Sequence, residues 1–299
     1  MQTIEYIFQK FYDLLVESFE KSLDAEYFII LFGATASLLL VEMFFAGWEK
    51  SSLRKIIRFD ISARNDFFAW FIEALGFFGI ISALLSFGVC YYLVGFIQIN
   101  VGFDFTISNP YIQILVIIIV SDLKNYVRHY FFHRSHTLWQ LHSFHHSATN
   151  FNILTRQRAH FLEGEISRFF DVLPFVLFGA PILSYFIVRL VLEIHQMLLH
   201  SAFKSDWGFI GKYIIVSPAA HRIHHSVDPK HYNKNLGNTF IFWDHLFGTY
   251  HPKEDNIEIG IPNNPYNKGY VRDILTGQYL FFKTLWAGTK GLFQRKKSS

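Results

Sequence analysis

The sequence predicts an all-α integral membrane helical bundle of about four spanning or hairpin units with a cytoplasmic histidine-rich helical cap. Three observations favour this fold class. Hydrophobic residues make up 51% of the 299 residues and charged residues only 17%, below the roughly 25% of a soluble domain. The mean hydropathy is +0.22. Long apolar runs alternate with polar segments, and most of the 15 histidines lie in tight groups within the polar segments.

Composition limits the organisation and the function classes. We expect a single membrane domain over residues 1–299, because no Pro/Gly/Ser-rich linker and no internal repeat interrupts the chain. The net charge of +3 is too small to indicate nucleic-acid binding. The one cysteine, Cys90, excludes an intramolecular disulfide and a thiolate metal cluster. The N-terminal segment lacks the basic and short apolar regions of a signal peptide, so none is expected.

Three apolar runs are the predicted membrane helices, at residues 27–47, 67–98 and 110–130. Each is close to or above the ~20 residues that a helix needs to cross the hydrocarbon core. Glu42 lies inside the first run, so its ionisable side chain should face protein or an interface. The second run is longer than one span needs, and tilt would absorb the excess.

The fourth apolar stretch, 169–200, contains Gly-Ala-Pro at 179–181. This break predicts a helical hairpin rather than one straight span. A hairpin returns the chain to the side that it left, so residues 121–168 and 195–250 can form one catalytic cap. The segment from Tyr270 to Lys297 mixes aromatic and basic residues, which predicts an amphipathic helix on the inner membrane surface.

Basic residues predict the orientation. The loop 48–66 carries Lys50, Arg54, Lys55, Arg58 and Arg64, whereas the loop 101–110 has neither lysine nor arginine. By the positive-inside rule, the first loop and the catalytic cap are cytoplasmic. The acidic N-terminus is predicted on the opposite side.

Histidines recur at helical spacing. His129 and His133 are four residues apart and share one helix face with Asp122 and Tyr126. The pattern HxxHH then occurs twice, and its two adjacent histidines can diverge toward two ions. The two copies consist of His142, His145 and His146, and of His221, His224 and His225. Ser217-Pro218, just before the second copy, predicts a helix N-cap and first turn.

These histidines predict a metal centre. One ion accepts four to six ligands, so this many imidazoles indicate two ions, and imidazole suits zinc, copper, iron or nickel alike. Asp122 is placed to orient a ligand imidazole. His195 and His200 are five residues apart and need a helix end or a bulge to share the site. The predicted ligands are His129, His133, His142, His145, His146, His195, His200, His221, His224 and His225.

Three other classes of protein compete with a two-metal enzyme. A haem protein would place paired histidines on facing spanning helices, and a metal carrier would place them along a path through the bilayer. Here they cluster in polar segments at one predicted face. The third alternative is a zinc-dependent membrane hydrolase acting on lipid; a zinc protease of the HExxH type is disfavoured because the motif is missing.

Residues 110–250 resemble the fatty acid hydroxylase/sterol desaturase superfamily. The resemblance begins with Asp122-xxx-Tyr126-xx-His129-xxx-His133 and continues with LWQLHSFHHS at 138–147 and Thr155-xx-Arg158-x-His160. His195 and His200 are similar to the intermediate histidines, and the segment from His221 to His225 is similar to the last histidine box. Asn235-x-Gly237, Trp243-Asp244 and FGTY at 247–250 resemble the closing signature.

The resemblance implies two iron ions (Fe²⁺/Fe³⁺), O₂ as co-substrate and hydroxylation or desaturation of a membrane lipid, of which we favour hydroxylation by a monooxygenase. It also implies a separate electron donor, which would be a ferredoxin, a haem carrier or a reductase. The substrate stays open between a fatty acyl chain, a sterol, an ether lipid and a polar-lipid head group. His160 is expected beside a ligand rather than as one, and Arg158 and Asn235 are expected to support ligands or to face the substrate.

Overall fold

The computed structural model describes residues 9, 25–74, 77–102 and 104–297. Within these ranges the chain forms α-helices and short 3-10 turns and no β-strand, which confirms the all-α prediction. The 3-10 turns are Trp48–Lys50, Ile153–Gln157 and Pro229–His231. The α-helices are α1 (Ala25–Ala46), α2 (Ser52–Arg58), α3 (Ile61–Ala74), α4 (Phe77–Val101), α5 (Pro110–Arg134), α6 (His136–His146), α7 (Phe161–Leu177), α8 (Ile182–Leu199), α9 (Gly208–Tyr213), α10 (Pro218–His224), α11 (Phe242–Phe247) and α12 (Tyr270–Lys297).

The described residues divide into two compact units. The first contains those within Met1–Leu38, Phe71–Lys124 and Gly164–His195. The second contains those within Leu39–Trp70, Asn125–Glu163 and Gln196–Ser299. All predicted metal ligands except His195 belong to the second unit. The acidic N-terminal segment, residues 1–26, is predicted on the side of the membrane opposite to the catalytic cap. Most of this segment lies outside the described residues, which include only residues 9, 25 and 26 of it.

Among the described residues, two helices, α5 and α8, are long and apolar enough to cross a membrane by length and composition. The structure buries 28% and 33% of their apolar windows. Shorter apolar helical stretches occupy Phe32–Ala46 and Leu85–Val101. Two candidate spans are fewer than the predicted number of units, and the number of passes and their orientation stay predictions.

Apolar side chains of α4, α5, α7 and α8 form the core of the first unit, with Phe87, Ile117 and Phe175 among its buried members. The Gly-Ala-Pro segment separates α7, which ends at Leu177, from α8, which begins at Ile182. Gly179 has a positive φ of 71°, and a Cβ there would lie 2.8 Å from Thr106 Cγ2. Only glycine therefore fits at this turn.

The second apolar run, predicted as one helix over 67–98, is divided between α3 and α4. Just before this run, polar side chains of α3 are buried in the second unit. Asn65 Nδ2 donates to Asp273 Oδ2 at 2.6 Å, and Asp66 accepts from Asn152 Nδ2 at 2.7 Å. These contacts anchor the first half of α3 to distant segments of the chain.

Buried carboxylates also tie the second unit together. Glu42 is fully buried and accepts hydrogen bonds from Ser52 N (2.5 Å), Ser52 Oγ (2.7 Å) and Ala202 N (2.6 Å). The expectation that Glu42 faces protein is confirmed. Near the start of α12, Asp273 accepts from Asn267 N at 2.8 Å. The helix predicted over 270–297 is present, while its place on a membrane surface stays a prediction.

We expect Glu42→Ala to destabilise the protein by about 2–4 kcal/mol, because two buried backbone N–H groups lose their acceptor. The measurement is the midpoint of thermal unfolding of detergent-purified protein by circular dichroism. Glu49→Ala is the control, since the Glu49 side chain is 73% exposed. Equal midpoints for the two variants would contradict the role assigned to Glu42.

Candidate metal centre

Short, well-capped helices present the histidines. His129 and His133 lie near the end of α5, and His200 follows the end of α8. Ser135 Oγ caps α6 by accepting from Leu138 N at 3.3 Å. Ser217 Oγ caps α10 by accepting from Ala220 N at 3.2 Å, and Pro218 occupies its first turn, which confirms the cap predicted from Ser217-Pro218.

Nine histidines converge in two groups whose candidate ligand atoms lie within 4.8 Å of one another. The five-histidine group contains His129, His133, His142, His146 and His224. The four-histidine group contains His145, His200, His221 and His225.

Adjacent histidines of each HxxHH motif point to different groups. His146 and His224 belong to the five-histidine group, whereas their neighbours His145 and His225 belong to the four-histidine group. The rings of His146 and His225 are stacked, with centroids 4.1 Å apart and planes at 19°. The two groups are therefore directly side by side.

Hydrogen bonds at Nδ1 define which ring nitrogen of the five-histidine group carries a lone pair. His129 Nδ1 lies 2.8 Å from the carbonyl of Leu236, and His142 Nδ1 lies 2.8 Å from Glu163 Oε1. Both partners are acceptors, so each Nδ1 must donate its proton, and in a neutral ring Nε2 then carries only a lone pair. The Nε2 atoms of His129 and His142 face each other at 3.1 Å.

The four-histidine group repeats this arrangement. His200 Nδ1 donates to Gln196 O (2.8 Å), and His145 Nδ1 donates to Arg158 O (3.3 Å). Their Nε2 atoms lie 3.3 Å apart, and their lone pairs repel unless a cation lies between them. His221 Nε2 lies 3.0 Å from His200 Nε2. Nitrogen ligands at 2.0–2.1 Å from one ion are separated by about 3 Å in octahedral geometry and about 3.3–3.4 Å in tetrahedral geometry, so the spacing fits metal binding.

Burial keeps these imidazoles neutral. Removal from water, followed by repulsion from neighbouring imidazoles, lowers the pKa of His145, His146, His221 and His225 well below 6.5. Burial also lowers the pKa of His200 and His224 to about 3. Moreover, the Nε2 atoms of His133, His146 and His224 are buried without a hydrogen-bond partner. Neutral, unpartnered nitrogens are the donor set that a transition-metal ion takes.

Glu163 supports the site, and sequence reasoning missed it. It is buried at the start of α7, and its Oε1 holds His142 Nδ1 while lying 3.7 Å from Arg128 Nη1. Burial raises the pKa of Glu163, but the neighbouring His142, which also donates a hydrogen bond, and Arg128 together hold this pKa below its usual value. Glu163 thus fixes the orientation of His142. Glutamate at this position belongs to no histidine motif, so the sequence offered no signal.

Asp244 is the second missed residue, although it lies in the closing signature. It is fully buried and accepts from Leu236 N (2.6 Å), Gly237 N (2.9 Å) and Thr249 Oγ1 (2.6 Å). Burial raises the pKa of Asp244 to about 6, so it is mostly ionised at pH 7. A Cβ at Gly237 would lie 2.8 Å from Asp244 Oδ2, so glycine permits this contact. Asp244 positions Leu236, whose carbonyl holds His129.

Tyr126 and Asn235 also form hydrogen bonds that position segments next to the metal centre. The hydroxyl of Tyr126 lies 2.7 Å from Thr249 Oγ1 and so extends the Asp244 network into α5. Asn235 Nδ2 donates to Ala220 O and His251 O, both at 3.1 Å, and its Oδ1 accepts from His251 N at 2.8 Å. These contacts position the chain around α10.

Arg158 has no N–H group left for a substrate. The side chain is fully buried, and its Nη1 forms an ion pair with Asp66 at 3.1 Å. The remaining donors reach Ser62, Phe144 O, Ser147 Oγ and Asn267 Oδ1. The expectation that Arg158 supports ligands fits its carbonyl, which holds His145, whereas the expectation that it faces the substrate is not supported.

His160 is occupied at both ring nitrogens. Its Nδ1 accepts from Leu162 N at 3.2 Å, and its Nε2 donates to Ile274 O at 3.0 Å. Such a ring has no lone pair left for a metal. This geometry agrees with the expectation that His160 is not a ligand.

Two predicted site residues lie in the first unit. Asp122 is buried there, and the carboxylate that holds a ring of the five-histidine group is Glu163, so the orienting role of Asp122 stays a prediction. His195 belongs to neither histidine group. His195 lies on α8, and His200 follows its end at Leu199, which is the helix end that their five-residue spacing requires. The role of His195 as a ligand stays a prediction.

A cavity of about 540 Å³ reaches the five-histidine group. Its lining includes His133, His146 and His224 of this group, together with Trp139 and Tyr232. The ring of Trp139 lies 5.1 Å from those of His133 and His146. Small molecules therefore have a route to one of the two groups.

Comparison with known proteins gives a consistent picture. Residues 114–249 match the family model described as fatty acid hydroxylase. The chain is 29% identical over 166 residues to alkylglycerol monooxygenase of Danio rerio, covering 55% of this chain and 35% of that protein. It is 28% identical over 164 residues to ornithine lipid hydroxylase OlsE of Rhizobium tropici, covering 54% and 49%. The matches thus span about a third to a half of these relatives. No solved structure matches the chain.

We expect Glu163→Gln to weaken metal binding by the five-histidine group about 10–100-fold, because a neutral amide holds His142 less firmly than a carboxylate does. The measurement is metal retention against a competing chelator. Glu165→Gln is the matched control, two residues further along α7 with a side chain 42% exposed. Equal retention in both variants would count against a role for Glu163.

Asp244→Asn tests the second support. The two carboxylate oxygens of Asp244 now accept three hydrogen bonds. In asparagine one oxygen is replaced by an NH₂ group, which would face an N–H or O–H donor instead of accepting from it. We expect this repulsion to shift Leu236. We expect weaker metal retention, by about 10-fold or more. Asp255→Asn is the control, since the Asp255 side chain is 84% exposed. Unchanged retention would separate Asp244 from the metal centre.

Proposed function

From the match of residues 114–249 to the fatty acid hydroxylase family model, we propose that the chain is a membrane-bound non-haem di-iron oxygenase that uses O₂ to hydroxylate a lipid. The observation that carries the proposal is the pair of adjacent histidine groups, in each of which two Nε2 lone pairs converge at 3.1–3.3 Å. Their number and spacing support two metal ions. Imidazole does not select the metal, so the choice of iron rests on the family.

When bound, the iron ions would supply the redox chemistry that cleaves O₂, with one oxygen atom entering a C–H bond and the other leaving as water. The residues of the chain provide geometry and exclude water. Backbone carbonyls of Leu236, Gln196 and Arg158 hold the Nδ1 protons of their histidines, so each Nε2 keeps its direction. Burial of the groups excludes stray water from the reacting atoms.

Substrate and reaction are proposed from the relatives. One relative is named as a monooxygenase of alkylglycerol, and the other as a hydroxylase of ornithine lipid. We therefore propose a membrane lipid as substrate, with hydroxylation rather than desaturation. The cavity at the five-histidine group supports access of one end of such a molecule. Electrons would come from a separate donor, and the catalytic face is proposed to be cytoplasmic because of the basic loop 48–66.

A zinc-dependent lipid hydrolase is not favoured. Such an enzyme needs a general base beside a metal-bound water. The carboxylate nearest the five-histidine group, Glu163, contacts His142 through Nδ1, on the side of the ring away from the converging Nε2 atoms. It is placed to orient a ligand and not to activate water at the metal.

We expect cells that make the protein under ¹⁸O₂ to contain a lipid with one added ¹⁸O atom, detected by mass spectrometry. His146→Ala should abolish the product, because His146 lies in the five-histidine group and stacks on His225. His245→Ala should retain it, since this exposed side chain lies outside both groups. Purified protein should hold about two iron ions. A loss of two hydrogens from the lipid would indicate a desaturase, and an O₂-independent change would contradict an oxygenase.

A further inference from the structure

A third cluster of metal-type ligands lies outside the two histidine groups. The outer cluster consists of His231, His251 and Glu254, whose candidate ligand atoms are within 4.8 Å of one another. His231 ends the 3-10 turn Pro229–His231 after α10, and the other two residues follow α11. The outer cluster brings together two segments of the second unit that are distant in sequence.

The geometry of the outer cluster suits a single divalent ion. Glu254 Oε1 lies 3.4 Å from His231 Nε2 and 3.6 Å from His251 Nε2. Two ligands at 2.0–2.1 Å from a tetrahedral ion are separated by about 3.3–3.4 Å. Both nitrogen–oxygen distances are therefore close to the separation of two ligands on one ion. Two imidazoles and one carboxylate form a common ligand set for zinc.

His231 supplies the second, independent observation. Its side chain is only 1% exposed, and its Nε2 is buried without a hydrogen-bond partner although it points toward Glu254. The other ring nitrogen, Nδ1, lies 2.9 Å from Ser226 Oγ. A buried ring nitrogen without a partner is costly, and a bound ion would remove this cost.

His251 has its lone pair turned toward the same point. Its Nδ1 donates to Pro252 O at 2.9 Å, and its Nε2 lies 3.6 Å from Glu254 Oε1, so Nε2 is the ring nitrogen available to an ion at this point. Lys230 Nζ pairs with Glu254 at 2.7 Å, but through Oε2, which leaves Oε1 toward the two histidines. An ion bound at Oε1 would therefore not displace Lys230.

We propose that the outer cluster binds one zinc ion through His231 Nε2, His251 Nε2 and Glu254 Oε1. The Glu254 side chain is 34% exposed, so water can complete the coordination. Asn235 connects the outer cluster to the metal centre, because its side chain donates hydrogen bonds to the backbone carbonyls of both His251 and Ala220 of α10. Zinc here would fix the segment whose Lys234 carbonyl lies 3.0 Å from His224 Nδ1.

The test is zinc stoichiometry. Full-length protein in detergent is stripped with a chelator, dialysed against Zn²⁺ alone and measured by inductively coupled plasma mass spectrometry. We expect about three zinc ions per chain, about two in the histidine groups and one in the outer cluster. Glu254→Gln and His251→Ala should each lose about one ion and bind zinc at this site about 100-fold more weakly or worse. Glu258→Gln is the matched control, an exposed glutamate four residues further on, and should keep all three.

Equal zinc content in the wild-type protein and Glu254→Gln would overturn the proposal and leave the outer cluster as an ion pair. If His251→Ala loses helical structure by circular dichroism, Glu254→Gln decides alone, because glutamine preserves the size of the side chain. The result is separate from the oxygenase proposal, since zinc is counted without O₂, iron or a lipid. A protein that hydroxylates no lipid can still show the loss of one zinc ion.

Discussion

Repulsion between imidazole lone pairs is the constraint on which this structure depends. The two HxxHH motifs, the histidines of α5 and the histidine that follows α8 bring Nε2 lone pairs as close as 3.1 Å in a buried space. Such an arrangement is unfavourable in a protein without cations and favourable with them, because the same lone pairs then become ligands. Metal binding and the final folding of the second unit are therefore expected to be coupled.

The groups that hold the imidazoles in place come mostly from the backbone. Carbonyls of Leu236, Gln196, Arg158 and Lys234 meet the Nδ1 atoms of four histidines, and Glu163 meets a fifth. A carbonyl can be supplied by any residue, so what matters at these positions is the path of the chain. Residues that fix that path, such as Asp244 and the fully buried Arg158, then become as important as the ligands.

Helical periodicity allowed the sequence to predict much of this site. Adjacent histidines at 145–146 and 224–225 had to diverge on a helix, and Ser217-Pro218 had to start one. Contacts between distant segments could not be predicted: the pairing of Glu163 with His142 depends on how α7 meets α6, and no local pattern encodes it. The role of His195 as a ligand stays a prediction: α8 ends at Leu199, just before His200, which is the helix end that the five-residue spacing requires. The buried polar contacts at the start of α3 were likewise not predictable, since Asp273 and Asn152, the partners of Asn65 and Asp66, lie far along the chain.

The hydrogen bond between His129 and Leu236 joins residues 107 positions apart. During synthesis, His129 leaves the ribosome long before the carbonyl that orients it has been made. Asp244, which positions that carbonyl, is made later still. Until then, His129 and His133 lack the other members of the proposed metal centre. If the two histidine groups bind metal as proposed, complete loading is a late event in the synthesis of the chain, after residue 244 has been made.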